Sequence, residues 1–443
     1  MTHVDSPIRR LASLPAEIAG FGPGRFSEAQ LLEAKLTLVD TMACHYITRA
    51  DRPELWAVVS EFPETASGAR IWWSDRAVDA SNATFTNALL AHASDFDSVH
   101  YATGGHPGVI ILPALDALRH SAGIEVDRVL QAYLLGLECM AHLADAVGQQ
   151  LKDAGHHLTS TLGAPATAAA CAWAVRGRTE TIRSAMALAC SAAGGSQHAF
   201  GGTGKAFQVA SAARIGYDAA RFASKGCVPS SKDWCLPLTD PIPDTPVEVR
   251  EFWFPAAIDL VPTHFKQSPV CAYFDEPVGL LLDAFGPAPQ LPPFDRVEWE
   301  IPTYIFEAHK YEAPSTLEEA RFSLTLVAAL ILEHGTDWDA RFQAIATAPD
   351  SFAGAVSRIR LVDNGRMVTD LGETAPSVLR LFNGGSILSE RQMTFGITGE
   401  PKLRPGLPMR KLRQCNALGL PSEATDRLLA DLSLSNLAGA ECA

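Results

Sequence analysis

The sequence predicts a mainly α protein with an α+β second domain, an all-helical bundle followed by a smaller α+β domain. Three observations predict it. Apolar residues recur at helical spacing through the first ~260 residues. Residues 228–263 then carry seven prolines, at 229, 237, 241, 243, 246, 255 and 262, the mark of a connector between domains. Beyond them the apolar period shortens to that of strands. The boundaries read from this are 1–262 for the helical domain, completed by C-terminal helices in 396–443, and 263–395 for the α+β domain.

The elements follow in order. Ser27 with Gln30 forms a capping-box start, and Leu31, Leu32, Leu36, Val39 and Met42 continue at helical spacing. Similar patterns cover Ala83–Ala93, Val126–Val147, Ala164–Val175, Ile182–Ala193 and Ala206–Ser224, the last closed by Gly226 as a C-terminal cap. These helices are rich in small residues, as in APATAAACAWA over Ala164–Ala174, so close helix packing is expected; high alanine helix propensity accounts for part of the pattern. In the second domain Phe294–Ile301, Val356–Val362 and Ser377–Phe382 read as strands. Gly384–Gly385 reads as a hairpin turn into Ser386–Phe395. Helices are expected over Ser315–Leu332, Trp338–Ala346, Pro408–Ala417 and Pro421–Leu432.

Composition bounds the function. The 443 residues hold 36 Lys+Arg against 50 Asp+Glu, a formal net charge of −14, with 47% hydrophobic and 19% charged residues. This is a folded, core-forming composition rather than a disordered one. The acidic balance speaks against a nucleic-acid partner, which needs a basic face. No apolar run reaches the ~18 residues of a membrane helix, and the N-terminal stretch has no apolar signal core. A cytoplasmic protein is expected. Nine cysteines, scattered and without a CxxC pair, give neither a disulfide framework nor a zinc site. The glycine-rich stretch Gly194–Lys205 lacks the spacing of a phosphate loop, and no HExxH, GxSxG or GxGxxG occurs. No cofactor and no metal are expected.

Four polar clusters stand out in apolar or small-residue surroundings. Ala91–His106 (AHASDFDSVHYATGGH) puts three histidines and two aspartates at and after a helix end, where the plain alternative is a solvated loop. Gly155–Thr161 (GHHLTST) precedes an Ala-rich helix, with Thr159 or Ser160 open to a simple N-cap role. Lys205 opens a helix, a place its charge disfavours unless it serves an anion; a solvated lysine is the alternative. Lys266–Cys271 (KQSPVC) opens the second domain, and by itself reads as a linker lysine and a buried cysteine.

Together with Ala320, Phe322 and Ser323, these fragments resemble the MmgE/PrpD family, which includes 2-methylcitrate dehydratase, cis-aconitate decarboxylase and iminodisuccinate epimerase. The carrying residues are Ala88, His92, Asp95, Phe96, Asp97, His106-Pro107; Gly155, His157, Thr159, Ser160; Gly204-Lys205, Ala212, Ala213, Gly216, Ala219, Ala220, Gly226; and Lys266, Pro269, Cys271. The resemblance implies a helical domain with an α+β lid, a homodimer, and a cofactor-free site between the domains. It implies catalytic roles for His106, His157, Lys205, Lys266 and Cys271, and substrate contacts for Asp95, His92 and Thr159. The substrate would be a small anionic di- or tricarboxylate. The chain departs from the family where Ser98-Val99 replace an Asp-Thr pair, where the loop before His106 is one residue longer, and where Cys271 replaces a histidine.

Abstracting a proton beside a carboxylate builds negative charge that Lys, His or Arg must neutralise in the absence of a metal. The unperturbed pKa of histidine suits His106 and His157 to proton exchange near pH 7. A thiol beside a lysine can act as a second base. Cys271 opposite a histidine therefore favours epimerisation of an iminodisuccinate-like diacid by a two-base mechanism, with a 2-methylcitrate-type dehydratase second. A helical scaffold that binds a small anion without catalysis is the third reading. With a net charge of −14, cations are expected to concentrate locally, at Lys205, Lys266, His106 and His157.

Overall fold

A computed structural model describes residues 11–229, 234–235, 238, 262–285, 293–342, 345, 348–368, 373–396 and 404–440. The chain divides into two compact units: 1–198, 204–265 and 402–443 form one, and 199–203 with 266–401 form the other. The architecture is mainly helical with an α+β second part, the expected fold class.

The first unit contains α1 (Leu14–Gly20), α2 (Glu28–Asp51), α3 (Pro53–Val59), β1 (Glu64–Arg70), β2 (Ala77–Val78), α4 (Ala80–His92), α5 (Pro107–Ala122), α6 (Val126–Leu143), α7 (Gln149–Asp153), α8 (Leu158–Ala174), α9 (Thr179–Ala192) and α10 (Gly204–Ser224). A turn of π-helix at Ala144–Gly148 joins α6 to α7. The Ser27–Gln30 capping box forms as expected, with Ser27 Oγ accepting from Gln30 N–H at 3.3 Å and Gln30 Oε1 accepting from Ser27 N–H at 2.8 Å. The run GVIILP lies inside α5, which tolerates Pro113 in its interior.

Helix α8 explains the abundance of small residues. It begins earlier than the Ala-rich run suggested, at Leu158, and every residue of it is buried, which is the condition of a helix enclosed by others. Its neighbours approach through small side chains. A Cβ on Gly163 would meet Ile110 Cδ1 of α5 at 2.4 Å, and one on Gly216 of α10 would meet Thr167 Cβ at 2.6 Å and the Ala164 carbonyl oxygen at 2.7 Å.

The helical unit is not wholly helical. The antiparallel pair β1–β2 lies within it, over a stretch (ETASGAR) that carries no alternation of apolar residues and so gave no strand signal. Most of the proline-rich connector, residues 239–261, lies outside the described residues.

The second unit contains α11 (Ala272–Phe285), β3 (Arg296–Ile301), α12 (Thr303–Ala308), α13 (Leu317–Ala320), α14 (Leu324–His334), α15 (Trp338–Phe342), α16 (Ala353–Val356), β4 (Ile359–Asp363), β5 (Thr374–Asn383) and β6 (Ser386–Gly396). The strands form one sheet in the order β4-β3-β5-β6, with β3 parallel to β4 and the other pairs antiparallel. The intervening helices supply the crossover that a parallel pair requires. Residues 199–203 join this unit through Tyr311 Oη, which donates to the Phe200 carbonyl at 3.0 Å, and through the stacked Phe200–Phe322 rings at 5.6 Å. Gly384 and Gly385 make the expected hairpin turn, both at positive φ. Two expectations are corrected. The single helix over Ser315–Leu332 is broken at residues 321–323, where Ser323 Oγ caps α14 by accepting from Leu326 N–H at 3.3 Å. The strand expected from Val356 begins at Ile359, because Ala353–Val356 closes a short helix first.

The chain returns to the first unit with α17 (Gly406–Ala417) and α18 (Ser422–Asp431), and α17 packs on α2. Among the described residues no helix is long and apolar enough to cross a membrane.

The α8–α10 contact yields a prediction. Gly216→Ala adds a methyl group against a backbone carbonyl that cannot move aside, and should cost about 1–3 kcal/mol despite alanine's better helix propensity. Chemical denaturation measures it; an unchanged or raised stability would refute the close approach.

Candidate active site

Four helix ends meet in the first unit. His92 is the last residue of α4, and the loop after it carries Asp95 and Asp97. His106 is the N-cap residue of α5 and His157 that of α8, and neither uses its side chain for capping. Lys205 lies in the first turn of α10. Pro107 follows His106 at the first helical position, where a missing N–H costs nothing. The N-termini of α5, α8 and α10 thus turn their positive ends toward one place, which favours an anion.

Asp97 organises the histidines. Its carboxylate is fully buried and lies 3.0 Å from His92 Nδ1 and 2.9 Å from His106 Nδ1. His106 Nδ1 also lies 3.1 Å from the Ser98 carbonyl oxygen. Both Nδ1 atoms face only acceptors, so in the neutral ring the proton sits on Nδ1 and the lone pair on Nε2. The two ring centroids are 4.8 Å apart, edge to face.

His157 reaches the same state by another route. The Gln208 side chain is oriented by the backbone of Ser196: its Oε1 accepts from Ser196 N–H at 3.2 Å and its Nε2 donates to the Ser196 carbonyl at 3.3 Å. That orientation presents Oε1 to His157 Nδ1 at 3.1 Å, so Nδ1 again carries the proton. The His157 ring stacks on His92 at 6.3 Å. Three imidazoles therefore stand together, each a donor at Nδ1 and a base at Nε2. His92 Nε2 is buried without a hydrogen-bond partner among the described residues.

Electrostatics keep two of them, His92 and His157, neutral. Burial pushes the His92 pKa down to about 4 against the pull of Asp97, with Lys205 adding to the depression. Burial, then Lys205, holds His157 well below the ordinary range. The two histidines hold the Asp97 carboxyl well below the usual carboxylate range, overcoming its desolvation. This corrects one expectation. His157 is not a cation at neutral pH; it is a neutral acceptor, because a buried imidazolium beside Lys205 is too costly.

Lys205 is the cation of the cluster, with Nζ 2.9 Å from Asp95 Oδ2. The Asp95 carboxylate offsets the unfavourable position of a lysine at a helix N-terminus. Asp95 itself has φ of 48°, a left-handed conformation uncommon outside glycine and maintained by its surroundings. Thr159 Oγ1 accepts from the backbone N–H of His106 at 3.3 Å and so seats that residue.

The structure therefore brings His92, Asp95, His106, His157, Thr159 and Lys205 together. Lys266 and Cys271 belong to the second unit. There Lys266 is fully buried, and the Cys271 N–H donates to the Arg321 carbonyl at 2.8 Å. Sequence reasoning left Asp97 out of the candidate residues and did not single out Gln208, although Gln208 stands three residues from Lys205, on the same face of α10. If a metal ion is held anywhere among the described residues, the donor atoms of His92, Asp97 and His106 are the ones grouped for it, within 4.8 Å of one another.

Residues 17–234 match the MmgE/PrpD N-terminal domain. The chain belongs to the MmgE/PrpD family. Among curated relatives, it is 27% identical over 197 residues to the cis-aconitate decarboxylase of Aspergillus terreus, covering 42% of this chain and 40% of that protein. It is 25% identical over 229 residues to the cis-aconitate decarboxylase of Homo sapiens, covering 48% and 46%. The matches span less than half the length of these relatives. As an MmgE/PrpD protein the chain has enzymes for relatives, and those named are decarboxylases.

The buried neutral histidines make stability depend on pH. Unfolding frees them to protonate near their ordinary pKa of about 6.5, whereas folded His92 protonates only near 4. Stability is thus complete above pH ~6.5 and falls as pH falls toward 4, by about 2 kcal/mol per such histidine between pH 6.5 and 5. Denaturant titrations over this range should show the loss, and His92→Gln should reduce the slope. A pH-independent stability would contradict the neutral, buried assignment.

Proposed function

We propose that this chain is a lyase-type enzyme working without a metal, which moves a proton at a carbon adjacent to a carboxylate of a small di- or tricarboxylate. The observation that carries the reading is the set of three Nδ1-protonated imidazoles beside the Lys205–Asp95 pair. The decarboxylase activity named for the relatives supports a lyase as well as the residues do.

The chemistry follows from the protonation states. A substrate carboxylate is attracted by the three helix N-termini and by the Lys205 ammonium. In a dehydration, an Nε2 lone pair of His106 or His157 takes the proton from the α-carbon, and the electron pair left behind expels hydroxide, which leaves as water with a proton from Lys205. In a decarboxylation, the bond to the carboxylate breaks, CO2 departs, and the electron pair left on carbon receives a proton from Lys205. Both routes develop negative charge beside the same cation, which is where preorganised positive charge accelerates most. In the dehydration Asp97 fixes the tautomer that leaves His106 Nε2 a base and stabilises an imidazolium formed there in passing.

A second reading, epimerisation of an iminodisuccinate-like diacid, is favoured by Cys271 as the second acid/base. The resemblance to the family also assigns Lys266 a catalytic role, and Lys266→Ala tests that assignment by its effect on kcat.

Candidate diacids incubated in deuterated water and followed by NMR decide between the reactions. Loss of CO2 or formation of an alkene is expected. Deuterium entering the α-position with stereochemical scrambling and no alkene would establish the epimerase instead. Lys205→Ala and His106→Ala should each lower turnover at least about 100-fold while leaving the far-UV circular dichroism intact. Full activity in either variant would remove the cluster from catalysis.

A further inference from the structure

The loop that carries the two aspartates is held from beneath by a residue at the other end of the chain. Lys411 of α17 is fully buried and donates from Nζ to Asp40 Oδ1 of α2 at 2.6 Å and to the Phe96 carbonyl at 2.6 Å. Its ammonium also lies 4.1 Å from the centroid of the Phe96 ring. Asp40 in turn uses its second oxygen, Oδ2, to accept from the Ser98 N–H at 2.9 Å. The backbone is thus gripped on both sides of Asp97, at the carbonyl before it and the N–H after it. The Ser98 carbonyl then supports His106 Nδ1.

A purely structural ion pair gives no reason for this arrangement. Burying two charges costs several kcal/mol each, and apolar replacements of buried pairs are often neutral or stabilising. Here the pair places two backbone bonds within three residues of loop, and the loop carries the Asp95 and Asp97 carboxylates. We propose that Lys411 and Asp40 are positioning residues for this site, fixing the 96–98 backbone so that Asp97 meets His92 and His106 together. The inference rests on reading the histidine cluster as the active one, and neither residue touches the reacting atoms.

The test is the protonation signature of the imidazoles, which requires no substrate. In wild-type protein labelled with 15N-histidine, long-range correlation spectra at pH 7 should show His92, His106 and His157 as Nδ1–H tautomers. Asp40→Asn with Lys411→Met removes both charges, so the folding midpoint should remain near wild type. In that double variant the His92 and His106 signals should shift or broaden into tautomer mixtures, while His157, held separately by Gln208, keeps its signature. A positioning role also predicts that kcat falls at least about tenfold with KM changed less than about threefold, since the cations that bind substrate remain. A folded double variant with all three signatures unchanged would overturn the proposal. If the double variant does not fold, Asp40→Asn alone is read in the same way: it keeps an oxygen for the Ser98 N–H but loosens Lys411. An unchanged His106 signal there overturns the proposal equally. Absence of wild-type turnover on diacids would refute the functional reading and leave the spectroscopic result standing.

Discussion

The Asp97 carboxylate accepts a hydrogen bond from His92 Nδ1 and another from His106 Nδ1 in a place that water does not reach. A carboxylate removed from water survives as an anion only when it is met by strong donors, and here the donors are imidazoles. The consequences run outward in both directions. Each imidazole is locked with its proton on Nδ1, which leaves Nε2 as the base. Burial also keeps His92 and His157 neutral, so both offer lone pairs at neutral pH beside the Lys205 ammonium. The neighbouring Asp95 holds that lysine at the head of α10.

The surrounding fold can be understood as the support for this contact. Helices α5, α8 and α10 begin at His106, at His157 and beside Lys205, so three helix N-termini and three chemically useful side chains arise from the same chain reversals. Those helices converge because α8 is small enough to be enclosed, with Gly163 and Gly216 admitting its neighbours. Packing therefore sets the distances between imidazoles, and the loop after α4 supplies the carboxylate between two of them. An overall charge of −14 is compatible with an anionic substrate because the favourable potential is local, built from one lysine and three helix ends rather than from net charge.

Much of this was legible in the sequence, and its limits have physical causes. Helical periodicity located the bundle, and the proline-rich stretch with the strand period after it located the change of architecture. The ordered motifs named six residues that the helical unit gathers. Asp97 was harder to rank, since a motif shows that a carboxylate is present but not which nitrogen faces it. Gln208 matters only because Ser196 orients its amide, a tertiary relation with no sequence signal beyond its spacing from Lys205. Lys411 is 371 residues from Asp40. The one local hint is a lysine at the centre of the stripe Leu407–Lys411–Cys415, whose flanking members are buried core. A charge on an apolar stripe requires a buried partner, yet the stripe cannot say where the partner lies. The strand β1 escaped because a largely exposed strand has no apolar alternation to display, and β2 is only two residues long.

The protonation state of the imidazoles is the claim on which the chemistry stands, and neutron diffraction from deuterium-exchanged crystals at pH 7 observes it directly. Nuclear density for deuterium is expected on Nδ1 of His92, His106 and His157 and absent from Nε2 of His92 and His157, with Asp97 unprotonated. Deuterium on Nε2 of His157, or on a carboxylate oxygen of Asp97, would contradict the account.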